Sequence, residues 1–160
     1  MHNTDATDLF GRLMQQEIDC AERLGKVLNE ERQALGGRDP EALERVTAAK
    51  QTLLKEMEQR VAAHEGFLSA RRLPPGKAGT EQFLAGLPQD SELPALWQRL
   101  QESAAQCRDD NQVNGSIVAL SRVRVQQALE LLHGKPDNAK TYGREGETHA
   151  SARSKFIGSV

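Results

Sequence analysis

The chain has 160 residues, enough for one domain, and its 38% hydrophobic and 4% aromatic content is typical of helices packed through Leu, Val and Ala. Its 21 basic and 23 acidic residues give a net charge of −2, which argues against a protein that coats nucleic acid. No apolar run approaches the ~20 residues of a membrane-spanning helix, and the first ten residues are acidic rather than signal-like, so we expect a cytoplasmic protein with no integral membrane segment.

Two long predicted helices come first, and we expect them to form an antiparallel hairpin. The first covers about 5–35 and the second about 40–72, because Gly36-Gly37 suits a helix end and Asp39-Pro40 a helix start. Apolar residues in both helices recur at steps of three and four, as in the seam of a coiled coil. These seams consist of Phe10, Met14, Ala21, Leu24, Leu28 and Leu35 in the first helix, and of Leu43, Val46, Leu53, Leu54, Met57, Val61, His64 and Leu68 in the second.

A third, longer helix is predicted over about 91–133, between the cap residue Ser91 and the stop at His133-Gly134. In the irregular stretch before it, 80–87 has the pattern of a possible short helix. Its apolar residues, which we expect to cover one end of the bundle, are Phe83, Leu84 and Leu87.

The apolar seam of the long helix is interrupted by Asn111 and Asn114. We expect these two asparagines to fix the register of the helices through side-chain hydrogen bonds. The predicted fold is therefore all-α, with a helical hairpin and a longer third helix in a coiled-coil-like bundle over 1–133. The segment 134–160 is rich in Gly, Ser, Thr and Lys and is expected to form a flexible C-terminal arm.

The long helix should extend past the hairpin. At 1.5 Å per residue it spans ~65 Å, against ~45 Å for each helix of the hairpin. If it starts level with the short helix, the excess is its C-terminal part, where exposed apolar side chains usually indicate a partner protein. The predicted partner-binding residues on this helix are Val118, Val125, Leu129, Leu131 and Leu132.

No pattern of catalytic, cofactor-binding or metal-binding residues emerges, so we expect neither an enzyme nor a cofactor. The four histidines are scattered and form no pair at ligand spacing. Gly76-Lys77 lacks the upstream glycine and the following hydroxyl residue of a phosphate-binding loop. Cys20 and Cys107 lie on apolar stripes, which favours buried free thiols in a reducing compartment.

Three motifs occur in order near the C-terminus: Asn114-Gly115, then Ala-Leu-Glu-Leu-Leu-His-Gly over 128–134, then Tyr-Gly-Arg-Glu-Gly over 142–146. Together they resemble the C-terminal signature of the FlgN family of flagellar type III export chaperones. The resemblance implies a cytoplasmic protein that binds the terminal amphipathic helix of the hook-associated proteins FlgK and FlgL, keeps them unassembled and delivers them to the export gate. It also implies that substrate binds the C-terminal region and that Tyr142 takes part in docking on the gate.

An alternative function remains open, because a coiled-coil structural adaptor or self-assembling scaffold would use the same apolar stripes to dimerise. We expect a monomer or a weak dimer. Phe156 and Ile157 are apolar residues of the C-terminal arm to which the family resemblance assigns no role.

Overall fold

The computed structural model describes residues 2–133, with side chains from 5 to 132, and contains four α-helices. α1 covers His2–Gly37, α2 Pro40–Ala70, α3 Gly76–Ala85 and α4 Leu93–His133. The predicted all-α class is confirmed, and the described residues contain no strand. The chain divides into two compact units, Met1–Val123 and Arg124–Val160, and the described part of the second is the end of α4.

α1 and α2 form the predicted antiparallel hairpin. The side chain of Asp39 caps α2 by accepting a hydrogen bond from the amide of Ala42 at 3.0 Å, and Pro40 takes the first helical position. Ion pairs join the two helices, and they occur in opposite order along each of them. These pairs are Arg23–Glu56 at 2.9 Å and Glu31–Lys50 at 3.1 Å.

Along the first unit, α4 runs parallel to α1 and antiparallel to α2. Three contacts between α1 and α4 establish this direction, because the residue numbers rise together along both helices. Leu93 lies against Gly11, Cys107 donates a hydrogen bond to the carbonyl oxygen of Ala21 at 3.2 Å, and Asn114 donates one to that of Leu28 at 2.8 Å. α1 is the central helix, because both α2 and α4 make side-chain contacts with it.

The short helix lies earlier in the chain than expected, at Gly76–Ala85 instead of 80–87. Its start is stabilised by α2, because Glu65 accepts a hydrogen bond from the amide of Gly76 at 2.9 Å and so satisfies one of the unpaired N–H groups of the first turn. Gly79 permits close packing on the segment that links α2 to α3, since a Cβ there would lie 1.7 Å from the carbonyl oxygen of Pro74. The Gly-Lys-Ala-Gly stretch therefore forms the first turn of α3.

The core contains two apolar clusters. The cluster at the α3 end consists of Phe10, Met14, Ile18, Phe67, Leu68, Leu93 and Leu100, with Phe83, Leu84 and Leu87 packed against it. The cluster in the middle of the bundle consists of Cys20, Ala21, Leu24, Leu28, Leu53 and Cys107. Both cysteines are free, and burial raises the pKa of each thiol, which keeps the reactive thiolate scarce.

A buried polar contact links three helices beside the first cluster. The ring of His64 on α2 has its Nδ1 atom 2.7 Å from a carboxylate oxygen of Glu17 on α1 and its Nε2 atom 2.9 Å from the hydroxyl of Thr80 on α3. All three side chains are buried, so each depends on the others for hydrogen bonds that water cannot provide. This contact explains why Glu17 and His64 occupy positions in otherwise apolar seams.

Candidate partner-binding surface

A layer of polar side chains attaches α4 to α1 at the hairpin end of the bundle, near the connection between α1 and α2. Asn114 is only 2% exposed, and its amide nitrogen donates to the carbonyl oxygen of Leu28 at 2.8 Å and to the carboxylate of Glu31 at 2.7 Å. Its amide oxygen accepts a hydrogen bond from Arg32 at 3.1 Å. Shifting α4 along α1 would break all three bonds at once, so this layer supports the expectation that Asn114 fixes register.

Asp110 completes the layer one turn earlier on α4. Its carboxylate accepts a hydrogen bond from Arg32 at 2.7 Å and another from Gln106 at 3.1 Å. The hydrogen bond from Arg32 is the largest cause that holds the pKa of Asp110 below its ordinary value, and the hydrogen bond from Gln106 and the positive charge of Arg32 lower it further. Asp110 is therefore charged at neutral pH, and the layer is an ionic contact between the two helices. Asn111, the other polar residue of the seam, is exposed and belongs to no such contact.

Within the first unit, α4 continues after α1 has ended. In the Gly11–Leu93 and Arg32–Asn114 contacts, the α4 residue number exceeds that of its α1 neighbour by 82. Gly37, the last residue of α1, is therefore level with residue 119 of α4. Leu120 and Val123 lie beyond that level and are 59% and 53% exposed.

The second unit also presents apolar side chains to solvent. Leu131 is 86% exposed and Leu132 80% exposed, and Val125 and Leu129 are at least 45% exposed. Exposed leucines are unremarkable singly, but consecutive apolar residues on the surface of one helix turn usually mark an interaction site.

The sequence-predicted partner-binding residues fall into three groups. Val118 lies in the first unit and is partly exposed at the hairpin end of α4. Val125, Leu129, Leu131 and Leu132 lie in the described part of the second unit and are all exposed. Tyr142 lies outside the described residues, as does the rest of the predicted arm over 134–160, including Phe156 and Ile157, which were not predicted to bind a partner. The structure adds Leu120, which the sequence reading missed because this residue lies off the three-and-four seam.

The exposed end of α4 is apolar and carries basic residues. Within the described residues, no three His, Cys, Asp or Glu side chains are grouped as a metal site. No helix in the described part of the chain is long and apolar enough to span a membrane. The exposed valines and leucines offer only apolar contact, and Arg122 and Arg124 add positive charge beside them.

Comparison with known proteins identifies the family of the chain. The sequence model of the FlgN protein family matches residues 5–150. A solved structure of a flagella synthesis protein FlgN from Pseudomonas aeruginosa is similar to the chain, with a TM-score of 0.60 and 27% sequence identity over 67% of this chain and 84% of that one. No curated protein matches. Since the family match covers most of the sequence, the chain belongs to the FlgN family, a family of flagellar chaperones.

Proposed function

We propose that this protein is a cytoplasmic export chaperone that binds the terminal amphipathic helix of the hook-associated proteins FlgK and FlgL, prevents their assembly and delivers them to the flagellar export gate. The exposed apolar end of α4 is the observation that carries the proposal. A helix that must later pack inside an assembled filament is apolar on one face, and before assembly that face needs a cover.

The proposed binding residues are Val118, Val125, Leu129, Leu131 and Leu132, together with the exposed Leu120 and Val123. An amphipathic helix docks through anchors spaced three and four residues apart, which match apolar side chains presented along another helix. We assign Tyr142 to docking on the export gate. The arm over 134–160 is proposed to order on the bound helix, and the entropy lost in ordering keeps the affinity low enough for release at the gate.

Binding of FlgK by the full-length protein tests the proposal directly. Burying a leucine stabilises a complex by roughly 1.5–3 kcal/mol, so Leu131→Asp with Leu132→Asp should raise the Kd at least ~100-fold. Isothermal titration calorimetry with purified FlgK or FlgL measures this change. Deletion of 134–160 should also weaken binding, because the deleted arm no longer covers the bound helix.

The matched control carries the same added charge at exposed polar positions of the same helix before its C-terminal part, as Gln98→Asp with Gln112→Asp, and should bind with unchanged affinity. Circular dichroism of each variant checks that the helices remain folded. The proposal is wrong if the leucine variant and the deletion both bind FlgK and FlgL as tightly as the parent protein does. Light scattering of the isolated chain addresses the scaffold alternative, which requires a stable dimer without affinity for hook-associated proteins.

A further inference from the structure

A groove runs between α2 and α4, and residues of α1 contribute to its floor. It begins above the contact between His64 and Trp97, whose ring centroids are 6.2 Å apart. Two adjoining cavities of about 370 and 380 Å³ share Leu24 and Cys107 in their floor. The walls are lined by Leu54, Met57 and Val61 from α2 and by Trp97, Ala104 and Asn111 from α4.

The groove continues towards the hairpin end of the bundle. A third cavity of about 310 Å³ shares Lys50 and Asn111 with the second and reaches Val118 and Arg122. From Trp97 to Val118 the groove follows α4 for ~30 Å at 1.5 Å per residue, the length of a helix of ~20 residues. All of its walls belong to the first unit.

The seam of α4 shows why the groove is there. Every second position of that seam is buried against α1, and these positions are Leu93, Leu100, Cys107 and Asn114. The alternate positions are Trp97, Ala104, Asn111 and Val118, which are not buried and line the walls of the groove, whereas Leu100, Cys107 and Asn114 of the first set reach its floor. In a four-helix bundle both sets face other helices. α1, α2 and α4 thus have the seam pattern of a bundle in which one helix position is empty.

Charge distinguishes between possible occupants. Lys50, Arg108 and Arg122 line the part of the groove nearest the hairpin end. Lys50 is paired with Glu31 at 3.1 Å, but Arg108 has a highly exposed side chain whose ion pair is the 3.7 Å contact with its neighbour Asp109. A helix with acidic side chains would complement this basic rim. The chain's own segment over 134–160 has five basic and three acidic residues and is a poorer match.

We propose that the α2–α4 groove binds an amphipathic helix of another protein, about 20 residues long, with an apolar stripe at three-and-four spacing and acidic side chains near Arg108 and Arg122. The helix takes the empty position of the bundle, with its stripe on Leu54, Val61 and Trp97. The groove shares Val118 with the binding residues proposed above, but it does not require that the proposed function be correct.

Trp97 is the only tryptophan of the chain and reports directly on the groove. The probes are two synthetic helical peptides of ~20 residues without tryptophan, which share one apolar stripe and carry either glutamates or lysines on the flank. Added to the full-length protein, the glutamate peptide should change the Trp97 emission saturably and bind at least tenfold more tightly than the lysine peptide. No saturable change with either peptide, or equal affinity for both, would overturn the proposal.

Two variants test the walls and the rim. Val61→Asp should weaken the glutamate peptide at least tenfold, whereas Leu9→Asp, at a position of α1 outside the groove, should leave its affinity unchanged. The two sites are matched, since Val61 is 43% and Leu9 42% exposed. Arg108→Glu with Arg122→Glu should reverse the preference in favour of the lysine peptide, and a preference that does not change would contradict the assigned rim.

Two further results would assign the groove to a different occupant and so overturn the proposal. One is a dimer in light scattering that Val61→Asp dissociates, which would make the occupant a second copy. The other is a tenfold gain in peptide affinity when 134–160 is deleted, which would make it the chain's own arm. Leu131→Asp with Leu132→Asp should leave peptide binding unchanged, so failure of this site and failure of the proposed function are distinguishable.

Discussion

Replacing Asn114 with alanine should be among the most destabilising polar substitutions in this protein. The side chain is almost fully buried and makes three hydrogen bonds at 2.7–3.1 Å, two of them with the charged groups of Glu31 and Arg32. Hydrogen bonds to charged groups contribute about 1.5–3 kcal/mol each, but Arg32 is partly exposed and can recover water, so we expect a net loss of about 2–3 kcal/mol. For a domain of this size that loss lowers the Tm by about 10 °C.

Asn111→Ala provides a control on the same helix, less than one turn away. Asn111 lines the groove and is exposed, so its replacement should change the free energy of unfolding by less than about 0.5 kcal/mol. Urea unfolding followed by circular dichroism at 222 nm measures both variants, and thermal melts give the Tm. If the two variants lose similar stability, the polar layer does not anchor α4, and the register must be set by the apolar contacts alone.

Three other predictions follow from the packing and the charges. Gly79→Ala should lower the free energy of unfolding by about 1–3 kcal/mol, because the new Cβ overlaps the carbonyl group of Pro74. Gly66→Ala, in the open interior of α2, should raise it by up to about 1 kcal/mol. Equal effects of the two substitutions in urea unfolding would contradict the close approach at Gly79. Because the pKa of Asp110 is lowered in the folded state, its carboxylate stabilises the fold at pH values above its ordinary pKa of 3.8, and this contribution disappears as the pH falls through the folded-state pKa. The Asp110→Asn variant should therefore lose less free energy of unfolding than the parent between pH 5 and pH 2. Identical losses would show that the pair with Arg32 is not coupled to folding. Cys20 and Cys107 should react with Ellman's reagent only after denaturant is added, and rapid labelling of the native protein would mean that the middle of the bundle opens readily.

The hairpin and the long α4 follow from the sequence because their signals are local. Asp39-Pro40 indicates the start of a helix, and the side chain of Asp39 does accept a cap hydrogen bond from the amide of Ala42. The three-and-four spacing likewise determines which face of each helix is apolar. The length difference between the helices needs only the rise per residue, and in the first unit α4 does continue past the level of Gly37.

The position of α3 could not be read from its own residues. The first turn, Gly-Lys-Ala-Gly, has poor helix propensity, and the structure stabilises it through Glu65, a residue eleven positions upstream on another helix. The same holds for Glu17 and His64, which look like imperfections in two seams until the fold brings them within 2.7 Å of each other. Contacts of this kind depend on tertiary packing and leave no periodic signal.

The groove marks a further limit of sequence patterns, and it bears on function. A seam at three-and-four spacing indicates that all of its positions can be buried, but it does not indicate which helix covers them. In α4 one set meets α1, while the alternate set, from Trp97 to Val118, lines open space of several hundred Å³. A coiled-coil pattern with more apolar positions than the chain has helices to cover is therefore a signal in its own right. For a family whose members act on other polypeptides, the uncovered half of such a seam is the natural place to look for the helix that is missing.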